Sequence, residues 1–176
     1  MSHERKFEYL TNNRIVYRRD PVSDKPDEET PHYKLYNIGT HECYELFRSK
    51  AKITTFKSLK WHLLVLLYLN DHLTKTMFLK LGKHITNKSN GFITFVIEEN
   101  RLVTIVDDVW AQDLDKPPKN RLRKIIFKDN CGLNRIEKLK LVGKVLGRGK
   151  KASESDIYEA MLYMHDVGKK ITVSSL

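Results

Sequence analysis

The chain has 176 residues, 40% hydrophobic and 31% charged, an ordinary globular balance that excludes disordered and fibrous classes. Its longest apolar run, residues 63–69, falls far short of the ~20 residues needed to span a bilayer, and the start MSHERKFEY has no apolar signal core. Cys43 and Cys131 make neither a disulfide framework nor a four-ligand zinc site, so a reducing cytoplasm is the expected compartment, and a net charge of +10 directs attention to polyanions.

Residues 1–47 hold seven basic and nine acidic groups. Residues 7–10 and 14–17 read as two short strands joined by an Asn-rich turn. Residues 20–31 carry three prolines and read as a loop. Residues 32–38 alternate like a further strand, and Thr40 is placed to cap a short helix through Phe47. The expectation is a small β-rich scaffold without chemistry.

Thr55 or Ser58 caps a helix whose Leu59, Leu63, Leu66, Leu67 and Asn70 fall on helical spacing. Thr74 caps a second helix with Met77, Phe78 and Leu81 inward and Gly82 late in it. Thr86, Asn87, Ser89 and Asn90 form a polar break. A third helical segment then places Phe92, Phe95, Val96 and Glu99 at i, i+3, i+4 and i+7, and the β-branched run 101–106 has strand character.

Helix, turn, helix, turn, third helix and strand is the element order of winged helix-turn-helix DNA-binding proteins, which residues 55–106 resemble in pattern. The resemblance implies a third helix entering the major groove and a following strand opening the wing. Thr86, Asn87, Lys88, Ser89 and Asn90 would then face DNA, with Asn87, Lys88 and Asn90 reading bases. Residues 102–106 would begin the wing. Two departures from that family stand out: Glu98 and Glu99 sit where the third helix should tolerate phosphate, and Asp107 and Asp108 where a wing is often basic. Residues 48–101 carry ten basic and three acidic groups, which agrees with the DNA-facing expectation.

Pro117 and Pro118 mark residues 113–130 as a hinge. From 116 to 151 there are thirteen basic residues against two acidic ones, so the chain's entire positive excess lies in one segment. That concentration suits phosphate binding with counterion release and nominates Arg121, Arg123, Lys124, Lys138, Lys140 and Lys144 as phosphate contacts. Asn134 caps a helix with Ile136, Leu139, Val142 and Leu146 on one face. Ser153 or Ser155 caps another, with Tyr158, Met161, Leu162 and His165 on one face and Gly168 past its end. Residues 162–172 echo residues 67–74, so the chain end is expected to be an unfinished second helix-turn-helix.

Catalytic signatures are weak. Gly143, Gly147 and Gly149 before Lys150 and Lys151 miss the P-loop spacing by one residue and lack its Ser/Thr. His32, His41 and Cys43 have no fourth ligand nearby. The acidic pairs Asp107/Asp108 and Asp113/Asp115 admit a metal-dependent nuclease, without the Glu-x-Lys that usually follows. Tyr9, Tyr17, Tyr33 and Tyr36 admit base stacking but suit sheet packing better. Trp61 and Trp110 point to core.

The expected fold class is α+β. A β-rich N-terminal scaffold spans 1–50, a winged-helix-like unit 51–112, the hinge 113–130 and a basic helical region 131–176. The expected function is non-enzymatic, sequence-specific binding of double-stranded DNA in transcription regulation or replication initiation, as in the plasmid and phage initiators that tandem reading units resemble. No cofactor, metal or membrane is expected, and the C-terminal helices offer a face to a protein partner or a second copy. The alternatives are a nucleic-acid-processing enzyme and a basic module that binds an acidic protein.

Overall fold

Apolar residues at helical spacing behind a threonine cap decide the centre of the molecule. The computed structural model describes residues 4–147, 154–166 and 168. Helix α2, Phe56–Leu69, starts at Thr55, whose side chain accepts the Ser58 N–H; helix α3, Lys75–Thr86, starts at Thr74, which accepts the Met77 N–H. Leu59, Leu63 and Leu66 of α2 and Phe78, Leu81 and Ile85 of α3 are completely buried. Met77, expected inward, stays exposed. Buried Asn70, at the end of α2, accepts the Val16 N–H and donates to the carbonyls of Val16 and Leu66, each at 2.7 Å. It therefore ties the N-terminal segment at Val16 to the end of α2.

The remaining helices correct the expected order. Helix α4, Glu99–Trp110, occupies the stretch read as a wing strand. Its Leu102, Ile105, Val106 and Val109 are buried at i, i+3, i+4 and i+7, and this stripe outweighs the β-branched propensity of the run. The third helix expected over 91–100 is irregular, bending chain as far as Glu98, and α4 begins only at Glu99. Gly91 (φ 80°) ends a 3-10 turn at Lys88–Asn90, and Ile93 then makes a parallel bridge to Ile53 while Phe92 fills the core. The expected strands at 7–10 and 14–17 are likewise replaced by a short helix α1, Glu8–Asn12, and a turn at Arg14, which adopts φ 52°. Leu10 and Ile15 on either side are both buried, a hydrophobic hold that a flat hairpin would not provide.

Two small antiparallel sheets complete the fold. Strand β1 (Arg18–Arg19) pairs with β4 (Tyr44–Glu45), and β3 (Tyr33–Thr40) lies between β2 (Glu28–Glu29) and β5 (Arg123–Phe127). The helix expected from Thr40 to Phe47 is absent. The Thr40 hydroxyl accepts the Glu42 N–H in a local turn, and Tyr44 is fully buried on β4. The molecule is mixed helix and sheet, of α+β type.

Two compact units divide the chain, Met1–Phe127 and Lys128–Leu176. In the first, one apolar cluster takes Leu10, Ile15, Tyr44 and Leu46 together with the faces of α2, α3 and α4, so residues on both sides of position 50 share a core. The Pro-rich stretch is fastened to this unit. The Tyr44 hydroxyl donates to the Pro118 carbonyl, Trp61 Nε1 to Lys119 at 2.8 Å and Asn120 Nδ2 to Cys43 at 2.7 Å.

The second unit contains α5 (Arg135–Val145) and α6 (Glu154–Asp166). Asn134 and Glu137 form a reciprocal capping box at the start of α5, and Gly168 (φ 66°) follows α6 as expected. Among its described residues only Cys131 is buried. Ile136, Leu139 and Leu146 of α5, and Tyr158, Met161 and Leu162 of α6, are exposed. The Ser153 cap and the part of the 162–172 echo beyond Gly168 lie outside the described residues.

Candidate nucleic-acid interface

Four segments distant in sequence converge on one cleft of about 450 Å³. Arg5 comes from the N-terminus; Glu45, Phe47, Arg48 and Lys52 from β4 and the loop after it; Ser58, Trp61 and His62 from α2; and Arg121 and Arg123 from the start of β5. Five cations and one carboxylate line it. All belong to the first unit.

The wall is held by arginine and strained backbone. Arg5 donates from Nη1 to the carbonyls of Phe47 (2.8 Å) and Ser49 (2.7 Å) and from Nη2 to that of Ala51. It thereby clamps the loop in which Phe47 adopts φ 62°, a conformation costing a bulky residue on the order of 1 kcal/mol or more. Arg5 Nε is the buried side-chain polar atom that lacks a hydrogen-bond partner among the described residues. Burial lowers the Arg5 pKa, yet the guanidinium stays charged.

Glu45 bridges two other arginines. Its carboxylate accepts from Arg48 Nη1 at 2.6 and 2.8 Å and from Arg123 Nη1. Burial pushes the Glu45 pKa up, but the hydrogen bonds from Arg123 and Arg48 outweigh it and hold the carboxyl below its ordinary range. Lys52 and Arg121 have no side-chain hydrogen-bond or ion-pair partner among the described residues, so their charge is open to a ligand.

His62 sits at the cleft with a fixed tautomer. Its Nδ1 lies 2.7 Å from the Ser58 carbonyl, which only accepts, so Nδ1 carries the hydrogen and Nε2 keeps its lone pair. Burial lowers the His62 pKa, with the Ser58 carbonyl raising it and Arg5 lowering it further, and the ring is neutral at neutral pH. Ser58 Oγ is 3.4 Å from the same protonated nitrogen and gains no base from it. This pair is not an activated nucleophile.

The expected site residues separate. Arg121 and Arg123 line the cleft, whereas Lys124 is exposed and, by strand alternation, faces away from Arg123. On α5, Lys140 and Lys144 are exposed and share a face at i, i+4, while Lys138 is half-buried and lies about 200° round from Lys140. Of the three residues expected to read bases, Asn90 is corrected. It is buried, and its amide donates to the His84 carbonyl at 2.9 Å and meets His84 Nδ1 at 3.1 Å. Asn87 Oδ1 is taken by the Ser89 N–H and hydroxyl. Lys88 is exposed, on a three-residue 3-10 turn too short to act as a groove-reading helix.

The nuclease carboxylates are also dispersed. Asp107 pairs with Lys75 of α3 at 3.0 Å and Asp108 with Lys60 of α2 at 2.9 Å, and Asp113 caps its own turn by accepting the Asp115 N–H. No group of three or more His, Cys, Asp and Glu side chains is placed to hold a metal among the described residues. Burial pushes the Cys43 thiol up to about 11, far from a thiolate nucleophile. Tyr9 stacks on His84, Tyr17 packs on Phe7 and Phe47, Tyr33 meets Phe127 edge-on and Tyr36 is buried, so packing uses all four.

Sequence reasoning missed Arg5, Arg48, Lys52 and His62 as cleft residues. The surplus of lysine and arginine over residues 48–101 was the visible signal for Arg48 and Lys52, and no comparable signal marked Arg5 or His62. No described helix is long and apolar enough to cross a membrane. The chain matches no protein-family model, no curated protein and no solved structure.

Proposed function

We infer that the protein is a non-enzymatic nucleic-acid-binding protein that holds double-stranded DNA mainly through phosphate contacts, in transcription regulation or replication initiation. The observation that carries this reading is the cationic rim of the cleft, where Arg48 and Arg121 are exposed and five lining cations face a single carboxylate. The exposed Lys124 of β5 and Lys140 and Lys144 of α5 extend the cationic surface within each unit. Such contacts fix register and affinity and are indifferent to base sequence. Self-association belongs to the same proposal, through the exposed Tyr158, Met161 and Leu162 of α6.

The test is fluorescence anisotropy on two duplexes of unrelated sequence. Arg121→Gln with Lys124→Gln, and separately Lys140→Gln with Lys144→Gln, should each weaken both duplexes alike. Unchanged affinity in both variants would remove the proposal. Catalytic readings gain no support from the serine–histidine pair or the dispersed carboxylates. A basic module for an acidic protein would bind an acidic peptide better than DNA in the same assay.

A further inference from the structure

The cleft concentrates more positive charge at one point than a nucleic-acid backbone supplies there in negative charge. Each phosphodiester along a strand carries one charge, and a duplex presents those charges on a convex surface. A phosphate monoester carries between one and two, because its second ionisation lies near about pH 6. The cleft is concave, with buried Ile53 and half-buried Trp61 and His62 among its lining, and its volume of about 450 Å³ accommodates one nucleotide rather than a duplex.

We propose that this cleft binds a phosphate monoester carried on a nucleotide, at the 5′ end of a strand or as a free nucleotide. The inference rests on the nucleic-acid-binding reading and adds to it a strand end or a nucleotide as the ligand. Lys52 and Arg121, unpaired among the described residues, are the primary contacts. Arg48 and Arg123 commit Nη1 to Glu45, and a guanidinium has five N–H donors, so each keeps others for an anion. Glu45 sets the direction of both forks. Trp61, its indole N–H already satisfied, offers ring surface to a base without selecting among bases.

The experiment uses the full chain and follows tryptophan fluorescence, with Trp110→Phe to isolate Trp61, and calorimetric heat. The probes are adenosine 5′-monophosphate, adenosine, inorganic phosphate, and one single-stranded oligonucleotide with either a 5′-phosphate or a 5′-hydroxyl. The 5′-phosphorylated strand should bind at least about tenfold tighter than the 5′-hydroxyl strand, as expected when charged contacts are added. Lys52→Gln with Arg121→Gln should erase that preference, and Lys52→Arg with Arg121→Lys should retain it, with circular dichroism confirming the fold of both. Saturable binding of the monophosphate but not adenosine, without a strand-end preference, assigns the site to free nucleotides. Binding of inorganic phosphate alone, equal affinity for the two strands together with no monophosphate binding, or a preference that survives the glutamine variant would overturn the proposal. A closed circular duplex, which has no ends, tests the underlying DNA reading separately.

Discussion

The two units solve the problem of staying folded in opposite ways. Residues 1–127 bury a continuous cluster in which Leu10, Leu59, Leu63, Leu66, Phe78, Leu81, Ile85 and Phe92 are fully excluded from water. In residues 128–176, α5 is opened by a complete capping box and buries none of its own residues. The contrast teaches that long-range burial specifies the first unit, whereas local helix signals specify the second. The proposed phosphate contacts follow the same division. A cleft assembled from distant segments needs the rigid unit, while a row of lysines on a helix needs only the helix.

The contrast breaks most visibly in the core. Leu63→Ala removes a fully buried side chain from the centre of α2 and should destabilise the first unit by about 2–5 kcal/mol. Hydrogen exchange should show lost protection across α2, α3 and α4 while α5 amides keep theirs. Equal loss in α5 would mean that the units are not independent in stability.

The converse change is smaller. Asn134→Ala removes the acceptor for the Ile136 and Glu137 N–H groups and should cost about 1 kcal/mol of helix stability, read as lower helicity in α5 alone. A drop in the thermal midpoint of the first unit would contradict the division.

The smallest expected effect is a pH dependence confined to the first unit. The folded state holds the His62 pKa below its ordinary value, so below about pH 6.5 the unfolded chain binds the proton more readily. Stability from this group is therefore intact above that pH and falls as the pH drops toward the folded pKa. His62→Gln should flatten that part of the stability profile. An unchanged profile would show that His62 is not the group responsible.

The sequence disclosed what neighbouring residues decide. Thr55, Thr74 and Asn134 were readable as caps because a cap needs only the next two or three N–H groups. Helices α2 and α3 were readable from period alone. The region 91–110 was exchanged, helix for irregular chain and strand for helix. A window ending at Val106 gave weight to β-branched propensity and omitted Val109, the residue that completes the buried stripe. The cleft was largely illegible, since Arg5, Arg48, Lys52, His62 and Arg121 come together only through tertiary contacts such as the Arg5 clamp on residues 47–51. Arg121 and Arg123 were found by charge density. Asn90 was misplaced because an Asn in a polar break looks the same in sequence whether it faces solvent or seals a histidine.

The central claim is that phosphate neutralisation drives binding, and the salt dependence of duplex affinity measures it most directly. The exposed Arg121, Lys124, Lys140 and Lys144 predict a slope of log affinity against log salt near about −4, reduced by about one for each contact removed. A slope near zero, or one that is unchanged when these residues are neutralised, would contradict the account.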